Sequence, residues 1–159
     1  MRNSIAVIVI IAGLLPGLLG GCAQVPMAPA GADAEGKLFD PPGQGDAVLY
    51  VYRDQFLGNE TALALSDNQQ QIGTLANKTW LRTEVAPGPH MIACSSVSGL
   101  HGLQTVRATP IDLAPGDMRF MEVAISPGPP FSPRCTATEV PADQGRAEVQ
   151  SGRRALLGQ

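Results

Sequence analysis

Apolar and polar positions divide the chain into three textures: an apolar N-terminal run, a Pro-, Gly- and Ala-rich stretch without period, and a series of short β-patterned runs. The clearest run is Ala47 to Asp54 (AVLYVYRD), with Val48, Tyr50 and Tyr52 on one face and Ala47, Leu49 and Val51 on the other. Apolar residues on both faces predict a central strand. Thr61 to Ser66 and Gln71 to Leu75 flank Asp67-Asn68-Gln69-Gln70, whose Asp and Asn suit a hairpin turn. Leu81, Thr83 and Val85 alternate with Arg82 and Glu84, the period of a half-buried strand. His90 to Ser95, Met118 to Ile125 and Cys135 to Val140 are further strand candidates. Pro-Gly pairs at Pro87-Gly88 and Pro115-Gly116 precede the first two and predict type II turns making antiparallel connections. Pro127 to Pro133 reads as a loop, and Ala142 to Arg153 as a polar, weakly helical tail. Runs at this spacing predict an all-β fold: a small antiparallel β-sandwich over residues 46–154, with a short C-terminal helix or tail and residues 155–159 trailing beyond it.

The N-terminus adds an address. Arg2 precedes an apolar run from Ile5 to Leu19, shorter than the roughly 20 residues a spanning helix needs and interrupted by Gly13, Pro16 and Gly17. Residues 1–21 therefore read as a signal peptide. Leu19-Gly20-Gly21-Cys22 resembles the lipobox of bacterial lipoproteins. That resemblance implies that Cys22 accepts a diacylglycerol and becomes the new N-terminus, making membrane lipid the first expected partner. Ala23 follows where an Asp would resemble the inner-membrane retention signal, so the expected location is the outer membrane, facing the periplasm. Residues 22–45, with Pro26, Pro29, Pro41 and Pro42, are expected to form an extended tether.

Composition narrows the function. Lys plus Arg is 11 against 14 for Asp plus Glu, a net charge of −3, so the basic footprint of a nucleic-acid binder is missing. Outside Cys22 two cysteines remain, Cys94 and Cys135, and an exported chain favours their pairing. His90, Cys94 and His101 lack the compact spacing of a zinc site, and a structural role for His90 at a strand start is expected instead. Ser95, Ser96 and Ser98 lie near His101 without a nucleophile elbow or a glycine-rich oxyanion loop. No catalytic residue, metal or cofactor is therefore expected. Arg53 and the Arg153-Arg154 pair read as solvated charges or ordinary surface ion pairs.

The segments LYVYRD, FLG, IGTL, Thr79-Trp80 and APGPH, followed by TEVPADQGRAEV, resemble the bacterial lipoprotein family catalogued as domain of unknown function 2846. The resemblance implies a β-sandwich related to PEGA-type and carboxypeptidase-regulatory-like modules, with no assigned activity. The expectation is a lipid-anchored, non-catalytic binding or assembly module of the cell envelope, with an envelope protein as a further partner. The alternatives are a subunit of an envelope secretion or export complex, and an envelope hydrolase.

Overall fold

A computed structural model of the chain describes residues 22–97, 108–127 and 133–158. Residues 1–21, expected to be a signal peptide, Ser98, His101 and residues 128–132 of the Pro-rich segment lie outside the described residues. The elements run α1 (Ala30–Gly36), β1 (Ala47–Arg53), β2 (Leu63–Asp67), β3 (Gln70–Leu75), β4 (Thr79–Val85), β5 (Gly88–Ser96), β6 (Thr109–Leu113), β7 (Met118–Ser126), β8 (Arg134–Val140), α2 (Ala142–Ser151) and β9 (Arg153–Arg154). Two sheets form, ordered β8-β7-β1-β4-β9 and β3-β2-β5-β6. The all-β sandwich expected from the strand spacing is the observed class.

β1 is the central strand, and all seven of its residues are buried. Its inner face, Ala47, Leu49 and Val51, packs with Leu63, Leu65, Ile92, Met121 and Val123 between the sheets. Its outer face, Val48, Tyr50 and Tyr52, joins Trp80, Phe120 and Val149 in a second cluster beneath the helices. The Tyr50 and Phe120 rings stack with centroids 5.1 Å apart, and the Tyr50 hydroxyl donates to the Gly36 carbonyl at 2.9 Å. Helical backbone reaches these rings only through glycine. A Cβ on Gly36 would stand 2.4 Å from the Trp80 ring, and one on Gly145 would stand 2.4 Å from Phe120 Cβ and Cγ.

The β2–β3 hairpin turns through Asn68 and Gln69, both at positive φ, as two-residue hairpin loops demand. Gly88 and Gly116 also have positive φ, at +128° and +84°. Their turns, however, do not make the antiparallel connections expected of them. Each carries the chain from one sheet to the other, because β4 and β7 belong to the five-stranded sheet and β5 and β6 to the four-stranded one. The Gly116 amide donates to Asp46 O and the Val48 amide to Asp117 O, which starts β7 parallel to β1. β9 likewise runs parallel to β4, so the five-stranded sheet is mixed rather than purely antiparallel.

The expected tether over residues 22–45 is corrected by the structure. α1 lies inside it, and Phe39, at positive φ, packs on Tyr50 and Phe120. The Ala23 amide donates to Asn59 O, the Ala28 amide to Arg154 O, and the Leu156 amide to Pro26 O, each at 2.9 Å. Proline removes donors but leaves carbonyls and neighbouring amides, and here the C-terminal segment pairs with them. Residues 155–158, expected to trail free, are held as well: Ala155 is buried in the core, Leu157 bridges Gly73, and the Gly158 amide donates to Ile72 O. This segment closes the corner between β4 and β3. The opposite corner is closed by the bonded pair Cys94 and Cys135, Cα atoms 5.7 Å apart, and by Thr109 Oγ1 donating to Ala137 O at 2.6 Å.

The contact at Gly145 sets two effects against each other. Ala in a helix interior gains up to about 1 kcal/mol over Gly. Forcing a methyl into the buried Phe120 ring costs about 1–3 kcal/mol. Gly145→Ala is therefore expected to lower the melting temperature, whereas Gly31→Ala in α1, with nothing within 4 Å of the new Cβ, leaves it unchanged or raises it. Thermal melts of the two variants check this.

Candidate functional site

Where β1 ends, Arg53 turns inward, 1% exposed, and its guanidinium organises the loop that follows. Nη1 donates to Thr61 O at 2.5 Å, and Nη2 to Gly58 O at 2.7 Å and Leu57 O at 3.3 Å. Burial pulls the Arg53 pKa down, and the nearby Glu60 charge opposes that pull. This is a correction, because Arg53 was expected to be a solvated charge. Arg154 is likewise engaged within the fold: its amide donates to Asp33 Oδ1, its Nη1 to Ala32 O, and its guanidinium lies over Trp80.

Gln55 holds the same loop from the other side. Its side-chain amide donates to Ile125 O at 2.8 Å and accepts from the Ile125 amide at 2.6 Å. With its backbone fixed from within, the loop turns Phe56 and Leu57 outward, 82% and 57% exposed. The Asn59 amide closes the turn on Phe56 O at 3.1 Å. Cys22 sits against this turn. It is exposed, its Sγ is 3.9 Å from Asn59 Nδ2, and the next amide, of Ala23, donates to Asn59 O. Beside it lies a cleft of about 500 Å³ lined by Ala23, Val25, Met27, Asn77, Lys78 and Arg153. The sequence marked Phe56-Leu57-Gly58 as part of a family resemblance and not as a functional surface, though a bulky apolar pair inside a Gly/Asn turn was the available signal.

At the cleft rim Lys78 pairs with Asp54. Burial pushes the Asp54 carboxyl up, but hydrogen bonds from Lys78 and Glu148 outweigh this and hold it low, while Asp54 raises Glu148. Neighbouring Tyr52 is pushed up to about 12 by burial and by Glu122.

His90 occupies the strand start, as expected, and is buried. Its Nδ1 bonds Asp67 Oδ2 at 2.6 Å and its Nε2 bonds Ala86 O at 2.8 Å. Both nitrogens are engaged by accepting partners, an arrangement that favours the protonated ring and leaves neither nitrogen free to take a proton from a nucleophile. Burial alone would lower its pKa. The Ala86 carbonyl and the Asp67 and Asp112 carboxylates reverse that and raise it above 6.5. Cys94 is bonded to Cys135 and so offers no thiolate to a metal, and His101 lies outside the described residues. Among the described residues no group of three or more His, Cys, Asp or Glu could hold a metal ion.

The arrangement defines a helix-covered β-sandwich whose most unusual surface is the apolar turn beside Cys22. No family model matches the chain. Over 79 residues it is 34% identical to a Haemophilus influenzae protein whose description reads "Uncharacterized protein", a stretch covering 50% of this chain and 47% of that one. The chain thus spans about half the length of the curated relative it matches. No helix among the described residues is long and apolar enough to cross a membrane.

Two outcomes follow from these contacts. Arg53→Met strands the carbonyls of Thr61 and Gly58 and is expected to cost about 2–6 kcal/mol, at about 1–3 kcal/mol for each group left unpaired. Limited proteolysis should then cut within residues 54–61 of the variant and not of the parent. For His90, the raised folded pKa means its stabilisation is complete below about 6.5 and is lost as pH rises through the folded value. His90→Asn should therefore lower the melting temperature more at about pH 5 than at about pH 9.

Proposed function

We propose that this chain is a lipid-anchored, non-catalytic binding or assembly module of the bacterial cell envelope, held at the periplasmic face of the outer membrane through acylated Cys22. The carrying observation is the Leu19-Gly20-Gly21-Cys22 sequence after a short apolar run, with Cys22 exposed at the start of the docked segment. A cysteine destined for acylation has to be reachable from outside the fold, and this one is. The bonded Cys94 and Cys135 suit an oxidising compartment. Engagement of both His90 nitrogens and of the Arg53 guanidinium favours a binding role over acid-base chemistry.

The secretion-complex alternative calls for an open strand edge that a partner can extend. Leu157 bridges Gly73 and covers part of the β3 edge, so the reading has less support there, while β6 and β8 remain the end strands of their sheets.

Cys22→Ala in the full chain is expected to leave the membrane fraction or to accumulate as uncleaved precursor. Fractionation with intact-mass measurement checks this, and an unmodified Cys22 on the native mature chain overturns the reading.

A further inference from the structure

We infer that the Phe56-Leu57 turn is a second membrane contact: a short apolar wedge that inserts into the interfacial layer of the bilayer carrying the Cys22 anchor. The inference rests on the anchoring reading and extends it to a surface of the folded domain. It begins with a distance. The thiol that would carry diacylglycerol lies 3.9 Å from the Asn59 side chain, and the following amide is bonded to the Asn59 carbonyl. No slack chain separates the anchor from the domain. A glycerol on Cys22 Sγ belongs at the boundary between headgroups and acyl chains, so the turn bonded to Cys22 is brought to the same depth.

The residues on that turn suit the location. Phe56, Leu57 and Gly58 carry no charge, and the first two are among the most exposed large apolar side chains described. Val97, 57% exposed, stands at the same end, because its amide donates to Ala62 O at 3.0 Å. The turn is also rigid. Arg53 and Gln55 hold its backbone from inside, so insertion does not require the loop to be reordered on contact. Exposed apolar groups on a preformed turn lose unfavourable water contact on entering the interface and lose little conformational freedom.

The test uses the mature, lipidated chain in vesicles of phosphatidylethanolamine and phosphatidylglycerol with brominated acyl chains. Phe56→Trp places an indole on the turn. Met91→Trp is the control, since Met91 lies beside the Asn68 turn at the far end of β2. The single native Trp80 is fully buried and provides a constant background. The expected result is a blue-shifted, bromine-quenched emission from Phe56→Trp and a solvent-like, unquenched emission from Met91→Trp. Equal, solvent-like emission from both, with lipid mass present on Cys22, overturns the wedge and leaves the anchor standing. Absence of lipid mass on Cys22 overturns both.

Discussion

A strand that meets water on neither face dictates the architecture of this chain. Seven consecutive buried residues in β1 need two apolar partners, and one sandwich interface supplies only one. The second sheet covers Ala47, Leu49 and Val51. Tyr50 and Tyr52, with Trp80 and Phe120, need a cover of their own, and α1, α2 and Phe39 provide it. Burying rings of this size contributes a few kcal/mol each, far more than either short helix gains from its own hydrogen bonds. Close approach then requires the missing side chains at Gly36 and Gly145, and it lets the Tyr50 hydroxyl donate to the Gly36 carbonyl. The helices owe their stability to the sheet they cover.

The same constraint explains why both ends of the chain are structural. α1 and α2 sit on one layer, so the segments flanking them meet. Asp33 accepts from the Arg154 amide and from Lys37, whose ammonium also donates to the Gly152 carbonyl. The chain after α2 then adds β9 beside β4 and continues to β3, joining the sheets at a corner where each would otherwise present an unpaired edge. With the disulfide at the other corner, both seams of the sandwich are fastened.

Elements that depend on local period were legible in the sequence, and elements that depend on docking were not. β1, the Asn68-Gln69 hairpin and β7 carry their faces in alternation, and composition with export context was enough to pair Cys94 and Cys135. Residues 22–45 lack period because their contacts are backbone bonds and small-residue packing, neither of which leaves a hydrophobic repeat. Only Phe39 hinted at burial there. β9 is two residues long and its pairing spans most of the sequence, while β6 carries Pro110 at a sheet edge. The Pro-Gly turns were found at their positions and assigned the wrong partners, because a turn fixes local direction and not which sheet receives the next strand. Arg53 looked like a surface charge for a related reason: alternation cannot show that the following loop would fold back to present three carbonyls.

Docking of the N-terminal segment also orients the molecule. A free tether would let the sandwich tumble above a membrane, whereas a chain bonded through Ala23 to Asn59 has its ends distinguished from its first ordered residues. β1 runs from Ala47, just after Asp46, whose carbonyl receives the Gly116 amide, to Arg53 and the apolar turn. With Ala23 bonded to Asn59 and Cys22 beside it, Cys22 lies at the Arg53 end of the sandwich and the other end points away from it. At that far end stand the Gly88 and Gly116 turns, the Asn68 hairpin and the His90–Asp67 pair, with Asp112 and Asp117 close by. The two ends differ in chemistry as well as position: beside Cys22 an exposed apolar turn flanked by Glu60 and the Asp54–Lys78 pair, and opposite it the His90–Asp67 pair with Asp112 and Asp117. On the proposed anchoring through Cys22, this geometry turns the Asn68 hairpin and the Gly88 and Gly116 turns away from the lipid.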